Sequence, residues 1–245
     1  GAHRAGGHAG QGTAAGLCDD GAGLCRRLPA VPLYRAGADP DERVCGQCSG
    51  AAAAAVENAG ITTAGMSDGP PTIDPNRMGC HIGAGLISAE INELGAALVT
   101  SKKDDGSFDL DHWGREGMQN LSPLWLLKYL PNMLACHVTI VHDCRGPSNT
   151  ITCCEASSGL SIAESRRVIQ RGDADACLSG GAEDRVNPLA LFRQLCTGRL
   201  VETDGSGDMT TIVRPFADDA SGTIIGEGGG ILLIEDTTSC KNRGG

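Results

Sequence analysis

Residues 146–165 read GPSNTITCCEASSGLSIAES, and this segment carries most of the information about the fold. Three β-branched residues within 149–152 follow a Gly-Pro turn signal and predict a strand. Small side chains come next, and a helix-like spacing then begins, marked by Ile162, Ser165 and Ile169. The pattern predicts a strand, a tight bend and a helix that a glycine ends.

The bend between the predicted strand and helix is expected at Glu155, directly after Cys153 and Cys154. A residue there lies at the positive end of a helix dipole, beside backbone N–H groups without partners, which favours a thiolate or a carboxylate. The same geometry holds the nucleophile of many enzymes, in which Ser or Cys is the usual residue. A glutamate at this bend is therefore unexpected and needs a chemical explanation.

The composition limits the classes of function. The chain has 245 residues, a formal net charge of −10 and 3% aromatic residues, which disfavours a nucleic-acid or anionic-membrane surface. No window approaches the ~18 apolar residues of a membrane span, and no signal peptide is visible, so we expect a cytoplasmic protein. No glycine turn has the full spacing of a dinucleotide-binding motif, and no cofactor is expected.

Twelve cysteines are scattered along the chain without a repeating framework, and we expect reduced, buried thiols. One alternative is a four-thiolate zinc site made by Cys45 and Cys48 together with Cys18 and Cys25. The latter two cysteines have six residues between them instead of two to four, so no metal is expected.

The pattern changes along the chain. Residues 1–42 are rich in Gly, Ala and Arg without a period of 2 or 3.6, and no order is assigned to them. Residues 51–58 predict a helix that Gly60 ends, and ordered structure is expected to begin near Gly50. Strands and helices alternate over residues 76–240, which predicts an α/β fold.

Three segments of this α/β region carry local expectations. The sequence RMGCHIGAGLISAEINELGAALV predicts a strand, a turn at 83–85 and a helix with one apolar face made by Ile87, Ile91, Leu94 and Leu98. The sequence LSPLWLLKYLPNMLACHVTI is densely apolar and predicts a buried helix that Pro131 interrupts. Glycine turns are expected at 180–183, after a strand, and at 226–230, before a buried strand.

Four segments together resemble the β-ketoacyl-acyl-carrier-protein synthases of fatty acid and polyketide synthesis, which have the thiolase-like fold. They are SPLWLLKYLPNMLACHVTI, RGPSNTIT, GDADACLSGGAED and RPFADDASGTIIGEGGGILLIED, and they occur in the order of the family. The resemblance implies an α/β fold in which residues 43–245 form the N-terminal half, a mixed sheet layered between helices. The helix after Glu155 is then expected to be buried at the centre.

The resemblance also implies where the reactive residue lies. The nucleophile of the family is a cysteine nine residues after the glycine of the Gly-Pro pair, and this count from Gly146 reaches Glu155 without a gap. Cys154 is the alternative nucleophile if the alignment shifts at the bend. The two catalytic histidines of the family would follow Gly245, and no matching motif contains His81, His112, His137 or His142.

Three functions remain open from the sequence. The first is a non-condensing subunit that determines chain length or decarboxylates, because Glu155 cannot form a stable thioester. The second is an active condensing enzyme that uses Cys154 with histidines from a missing segment or a partner. The third is a non-catalytic, truncated fragment.

The resemblance implies an acyl carrier protein as partner, contacted by Arg193 and Arg199 unless these arginines only form a solvated face. It also implies a homodimer, or a heterodimer with a ketosynthase subunit, and no binding of nucleic acid. Five apolar residues either line an acyl tunnel or belong to an ordinary core: Met118, Leu126, Leu127, Met133 and Leu134.

Overall fold

The computed structural model describes residues 40–203, 205–206 and 208–244. Most of the segment 1–42, to which the sequence assigns no order, lies outside the described residues. The elements in chain order are α1 Pro40–Asn58, β1 Met78–Gly83, α2 Ile91–Thr100, α3 Leu110–Arg115, α4 Met133–His142, β2 Ser148–Ile151, α5 Ser157–Gln170, β3 Ala176–Asp184, α6 Pro188–Cys196, β4 Glu227–Glu235 and α7 Thr237–Asn242. No described helix combines the length and the apolar character that crossing a membrane requires.

The described strands form one mixed sheet in the order β2-β1-β3-β4. β1 is parallel to both of its neighbours, and Gly83 lies opposite Ile151 of β2 and Gly181 of β3. β4 runs antiparallel to β3, with Ala176 opposite Glu235. The α/β class and the mixed sheet predicted from the sequence are confirmed.

Helices cover both faces of this sheet. α1 and α4 pack on one face, where Met78, Cys80 and Ile82 of β1 join the larger core. α5 packs on the other face, which includes Cys177, in contact with Val168 of α5. Successive residues of a strand point to opposite faces, so β1 and β3 each contribute to both layers. β1 is accordingly buried along its whole length.

α1 is longer than the helix predicted from residues 51–58. It begins at Pro40, ten residues before the expected start of order at Gly50, and Gly60 follows its end with a φ of 64°, as the glycine stop predicted. The additional turns carry a buried stripe that continues into the alanine run: Val44, Cys48, Ala52 and Ala55. Cysteine and alanine at helical spacing form this stripe, and large apolar residues are rare in it.

Both predicted glycine turns are wrong. Residues 180–183 lie inside β3, and Gly228–Gly230 lie inside β4, where the two stretches are paired with each other. A Cβ added at Gly180 would lie 2.0 Å from the carbonyl oxygen of Gly230. The glycines therefore allow a close approach of two strand backbones instead of a change of direction.

The helix predicted after β1 starts later than expected. α2 begins at Ile91, so Ile87 lies in the irregular segment before it, where it is buried. Ile91 and Leu98, on the predicted apolar face, are about half exposed, and Ala97 is the buried residue of this helix. Polar residues near α2 do not indicate which face of the helix is buried. The spacing of its apolar residues alone predicted the wrong face.

Pro131 interrupts the apolar segment before α4, as predicted. A 3₁₀ turn, Leu127–Tyr129, precedes the proline and α4 follows it. Both parts contain buried and exposed residues, because Tyr129 and Val138 are buried while Leu124 and Ile140 are mostly exposed. The prediction of a wholly buried segment is therefore wrong on both sides of Pro131.

Candidate functional site

The candidate site lies at the edge of the sheet where the three parallel strands end. β1 ends at Gly83, β2 at Ile151 and β3 at Asp184. Parallel strands place their carboxyl ends along one edge, and the ligand sites of α/β sheets commonly lie outside that edge. The residues that follow β2 and β3 there include Cys153, Cys154, Glu155 and Arg185.

The chain turns sharply at Cys154, between β2 and α5. Cys154 has a φ of 49°, a left-handed conformation that is uncommon for residues other than glycine. The hydroxyl of Ser157, the first residue of α5, accepts a hydrogen bond from the Cys153 N–H at 2.8 Å and donates one to the Cys154 carbonyl at 2.7 Å. Sequence reasoning did not single out Ser157, although a serine at the start of a predicted helix is a known signal for such bonds.

Glu155 follows the turn, and its side chain points to solvent. The side chain is 72% exposed and forms an ion pair with Arg199. The N-cap of α5 is Ala156, which provides no side-chain hydrogen bond. The expectation for Glu155 is therefore wrong, because the sharp turn is at Cys154 and the Glu155 carboxylate faces solvent instead of the start of α5.

Hydrogen bonds and charges at the site keep Glu155 ionised. A hydrogen bond from its own backbone N–H lowers the pKa of the carboxyl, and the guanidinium of Arg199 lowers it further. Arg185, directly after β3, adds a smaller effect of the same sign and is itself paired with Glu183 at 2.8 Å. Sequence reasoning missed Arg185, for which the signal would have been a basic residue immediately after a buried strand.

The structure brings only one of the two predicted carrier-protein contacts to the bend. Arg199 follows α6 and reaches Glu155, as described above. Arg193 is an exposed residue within α6. Asn187 caps the start of this helix, and its side chain accepts a hydrogen bond from the Ala190 N–H at 2.8 Å. Both arginines are accessible from outside, which a role in docking requires.

Among the described residues, no hydrogen bond joins a histidine to the bend. His81 is 2% exposed within β1, and neither of its ring nitrogens has a partner among the residues that the structure describes. His142 is buried at the end of α4, with Nδ1 3.0 Å from the Thr63 hydroxyl. Burial lowers the pKa of both imidazoles. The remaining described histidines are His112, paired with Glu116, and His137, on α4.

α5 buries one face only, although the sequence places this helix at the centre of the fold. The buried stripe consists of Ser157, Ser161, Ser165 and Val168. Leu160, on another side of the helix, is 43% exposed, and the predicted positions Ile162 and Ile169 are half-buried. Three serines and Val168 form the face of α5 that is buried against the sheet, and Ile169 packs at its margin.

The five residues predicted to line an acyl tunnel differ in burial. Met118, Leu126 and Leu127 are about half exposed, Met133 packs at the margin of the core, and Leu134 is buried. Leu134 lines a cavity of about 10 Å³. A volume of this size holds one water molecule, not an acyl chain. The tunnel therefore remains a prediction.

A larger cavity, of about 340 Å³, lies between α4 and β2. It is lined by Asn132, Ala135, Cys136, Thr139, Ser148, Asn149 and Thr150. β2 is an edge strand of the described sheet, so this cavity opens at a sheet edge.

The cysteines do not all have the buried environment expected from the sequence. Cys153, Cys154 and Cys196 are exposed. Cys45 and Cys48 belong to α1 and lie in the core, where burial raises the pKa of the Cys48 thiol to about 12. Cys18 and Cys25, the other members of the alternative zinc site, lie outside the described residues. In the described part of the chain, no three His, Cys, Asp or Glu side chains are grouped so that they could hold a metal ion.

Comparison with known proteins shows similarity over most of the chain. Residues 36–239 match the family described as "Beta-ketoacyl synthase, N-terminal domain". The 3-oxoacyl-[acyl-carrier-protein] synthase 2 of Mycobacterium bovis is 37% identical over 179 residues, which are 72% of this chain and 39% of that protein. The chain thus spans about two fifths of the length of this relative.

Two solved structures share the fold. A type II polyketide synthase acyl-carrier protein in complex with its ketosynthase matches with a TM-score of 0.56 and 16% identity, covering 82% of this chain and 49% of that one. The ishigamide ketosynthase/chain length factor matches with a TM-score of 0.58 and 22% identity, covering 83% and 44%. The fold agrees with the family match, which extends over well more than half of the residues. This chain therefore belongs to the beta-ketoacyl synthase family.

Proposed function

We propose that this chain is a non-condensing member of the beta-ketoacyl synthase family, acting in fatty acid or polyketide synthesis. The observation that carries the proposal is the Glu155 carboxylate beside the turn, which Arg199 helps to keep ionised. We assign Glu155 to the family's nucleophile position by a sequence count without gaps. Covalent acyl transfer needs an activated nucleophile that forms a stable intermediate. A carboxylate does not form a stable acyl thioester, so the first half-reaction of condensation cannot proceed through Glu155.

The proposed role is to assist an active ketosynthase, by setting the length of the acyl chain or by decarboxylating its extender. A carboxylate at residue 155 keeps the negative charge that a thiolate would have in an active relative. Arg199 and Arg185 balance this charge, since both lower the pKa of Glu155. The similarity of the fold to a ketosynthase/chain length factor supports this role.

The proposed partner is an acyl carrier protein. Arg193 and Arg199 are exposed on the side of the chain that includes α6, and an acidic carrier would complement their charge. Arg199 would then contact both Glu155 and the carrier. The solved complex of an acyl-carrier protein with its ketosynthase, which has the same fold, supports this partner.

We also propose that β2 joins a second subunit, either a copy of this chain or a ketosynthase. In the described sheet β2 pairs with β1 alone, and its Ser148 and Asn149 are exposed. An edge strand presents unpaired backbone groups and is a template for pairing with another chain.

A second candidate function, condensation through Cys154, is favoured by one observation. Cys154 is exposed and has the left-handed backbone of a sharp strand-to-helix turn, which is the geometry of a nucleophile at such a bend. A histidine base would have to come from another segment or a partner, because no described histidine is hydrogen-bonded to the bend.

Acylation by a labelled acyl carrier protein distinguishes the two functions. The chain is incubated with the labelled acyl carrier, and peptides that contain residues 153–155 are mapped by mass spectrometry. For a non-condensing chain we expect no thioester on Cys153 or Cys154. The variant Glu155→Cys, which restores a thiol at the family position, is expected to gain the label at residue 155.

Two controls make the result decisive. A label on Cys154 of the unchanged chain, absent from Cys154→Ser and retained in Cys196→Ser, would establish the second function and exclude the first. If neither Glu155→Cys nor the unchanged chain is labelled while an active family member is, residue 155 does not occupy the acyl site and the proposed position is wrong.

A further inference from the structure

The two adjacent cysteines at the bend differ from the buried cysteines of the chain. Burial raises the pKa of the thiols of Cys48 and Cys144 to about 12 and of Cys177 to about 11. A thiol must ionise to react, so these buried groups are protected from thiol chemistry. Cys153 and Cys154 are both exposed and follow each other in the sequence. The described chain has one other exposed cysteine, Cys196, which provides a natural single-thiol comparison.

The backbone that carries Cys153 and Cys154 is hydrogen-bonded to the first residues that follow it. The Cys153 carbonyl accepts a hydrogen bond from the Ala156 N–H at 3.1 Å, and the Cys154 carbonyl accepts one from the Ser157 N–H at 3.3 Å. The Ser157 hydroxyl bonds to both cysteines, as described above. Both cysteines therefore lie on one short, hydrogen-bonded turn, and both residues are in contact with solvent.

We propose that Cys153 and Cys154 are a redox modification site, at which a low-molecular-weight disulfide such as glutathione disulfide forms a bond between the two neighbouring sulfurs. One cysteine thiolate attacks the reagent, forms a mixed disulfide and releases one glutathione thiolate. The second cysteine then attacks the sulfur of the first and releases the other glutathione. Two cysteine thiols are oxidised, one glutathione disulfide is reduced to two thiols, and the two cysteine protons pass to them through solvent.

The short distance between the two residues makes this disulfide easy to reduce. Adjacent α-carbons are about 3.8 Å apart across a trans peptide, below the 4.4–6.8 Å that is usual for a disulfide. Strained disulfides are the labile and regulatory ones. The modification would be reversible, and it would withdraw the Cys154 thiol from reaction at the strand-to-helix turn beside Glu155. The proposal is independent of whether the chain condenses acyl groups.

The masses of the cysteine peptides after oxidation test the proposal. The full chain is treated with glutathione disulfide, unreacted thiols are alkylated, and the peptide with residues 153 and 154 is analysed. We expect this peptide to lose two hydrogens and to carry neither glutathione nor the alkylating group. The peptide with Cys196 is expected to carry glutathione. A mild dithiol reductant should restore alkylation of Cys153 and Cys154.

The result in the unchanged chain decides the proposal without any variant. Glutathione retained on either Cys153 or Cys154, or alkylation of both after oxidation, would overturn it. In Cys153→Ser the mixed disulfide is expected to persist on Cys154, because the second attack is no longer possible. Cys196→Ser, the matched control, should leave the oxidation at 153 and 154 unchanged.

A trivalent arsenical gives a second readout that does not depend on oxidation. Phenylarsine oxide binds two neighbouring thiols through two arsenic–sulfur bonds with release of water, and a single thiol does not hold it against a monothiol wash. We expect Cys153→Ser and Cys154→Ser each to lose one retained arsenical per chain, and Cys196→Ser to lose none. Equal retention in all three variants would show that the two sulfurs do not act together, contrary to the proposal.

Discussion

At the bend after β2, the backbone turn and the negative charge belong to neighbouring residues. Cys154 has the left-handed φ, while Glu155 carries the carboxylate that pairs with Arg199. The sequence predicted the bend at Glu155, whereas the left-handed residue is Cys154, one position earlier. A left-handed φ is readable from sequence when glycine or asparagine occupies the position, and cysteine gives no such signal. The partner Arg199 is 44 residues away in sequence, and no local pattern connects the two.

Replacement of Glu155 by glutamine is expected to change how stability depends on pH. The folded-state pKa of Glu155 lies below its ordinary value of 4.5, so the carboxylate contributes stability above that pH and loses it as pH falls through the folded pKa. Glu155→Gln should therefore be less stable than the unchanged chain at neutral pH, and the two should converge in acid. Denaturant midpoints measured from pH 7 to pH 3 provide the test. The effect should be small because the pair is exposed.

A double-mutant cycle with Arg199 identifies the source of this effect. In Arg199→Gln the substitution Glu155→Gln should have a smaller effect on the midpoint, because the ion pair is already lost. Some effect should remain, since the backbone N–H of Glu155 is the larger cause of the lowered pKa. Equal effects of Glu155→Gln in both backgrounds would show that Arg199 does not stabilise the carboxylate in solution.

At the scale of elements, α5 lies unusually close to the sheet because both surfaces are made of small residues. A Cβ at Gly83 of β1 would lie 2.4 Å from backbone atoms of Ser157 and Ser158. Ser161, further along the same helix, donates a hydrogen bond to the Gly180 carbonyl of β3 at 2.9 Å. Small serines, of which Ser161 bonds to a strand carbonyl, take most of the place of the apolar stripe that usually joins a helix to a sheet.

Alanine at Gly83 is expected to destabilise the fold. Its Cβ would collide with helix backbone, which cannot move aside as a flexible side chain can, and overpacking of this kind costs about 1–3 kcal/mol. The loss should appear as a lower midpoint in urea with an unchanged slope. Gly159→Ala, inside α5 with nothing within 4 Å of the added Cβ, is the matched control and should gain about 0.5–1 kcal/mol. An unchanged midpoint in Gly83→Ala would mean that α5 does not contact the sheet this closely.

His81 of β1 should make the fold sensitive to mild acid. Burial lowers the folded-state pKa of His81 below the ordinary 6.5. At a pH between the folded-state pKa and 6.5, the unfolded chain therefore binds a proton at His81 that the folded chain does not bind. Stability is complete above pH 6.5 and falls with pH through that window, by at most about 1.4 kcal/mol per pH unit for one proton. In His81→Asn the slope of stability against pH should be shallower, although His142 still contributes. Parallel slopes in the two proteins would exclude His81 as a source of acid sensitivity.

The elements that the sequence predicted well are those whose local pattern agrees with their surroundings. The β-branched run predicted β2, the helical spacing predicted α5, and Gly60 predicted the end of α1. The stretch from Gly180 to Glu183 is different, because local glycine content indicates a turn and only the pairing with β4 makes it strand. The prediction of the buried face of α2 was wrong for a related reason. Distant elements of the chain, not the residues of the helix alone, decide which face of a helix is covered.

At the scale of the whole molecule, large apolar side chains remain on the surface of the described chain. The most exposed include Val99, Leu110, Leu124, Ile140, Phe192 and Phe216. They lie on several elements, including α2, α4 and α6. Single exposed apolar residues are normal, but extended apolar surface marks a site of association. These residues and the free edge of β2 are the reason to expect that the chain associates with other protein.

Purified chain is therefore expected to associate. Sedimentation should show species larger than a monomer, and the dye ANS should bind to apolar surface that remains uncovered. If pairing through β2 is responsible, Asn149→Lys should weaken association, because a charge on an edge strand opposes pairing with its neighbour. Gln170→Lys, which adds the same charge at the exposed end of α5, should not. A compact monomer that binds no ANS would contradict the expectation.

The contact between α1 and β4 has a consequence for the order in which the chain becomes protected during synthesis. α1 packs on β4, and the Arg243 guanidinium donates a hydrogen bond at 3.1 Å to the carbonyl of Ala59, 184 positions earlier. A ribosome adds about 5–20 residues per second, so α1 waits roughly 10–40 s for the strand that covers it. During this time its cysteine- and alanine-lined stripe is accessible to chaperones and to other nascent chains. Yield in the cell should thus depend on elongation rate and chaperone supply as well as on the stability of the finished fold.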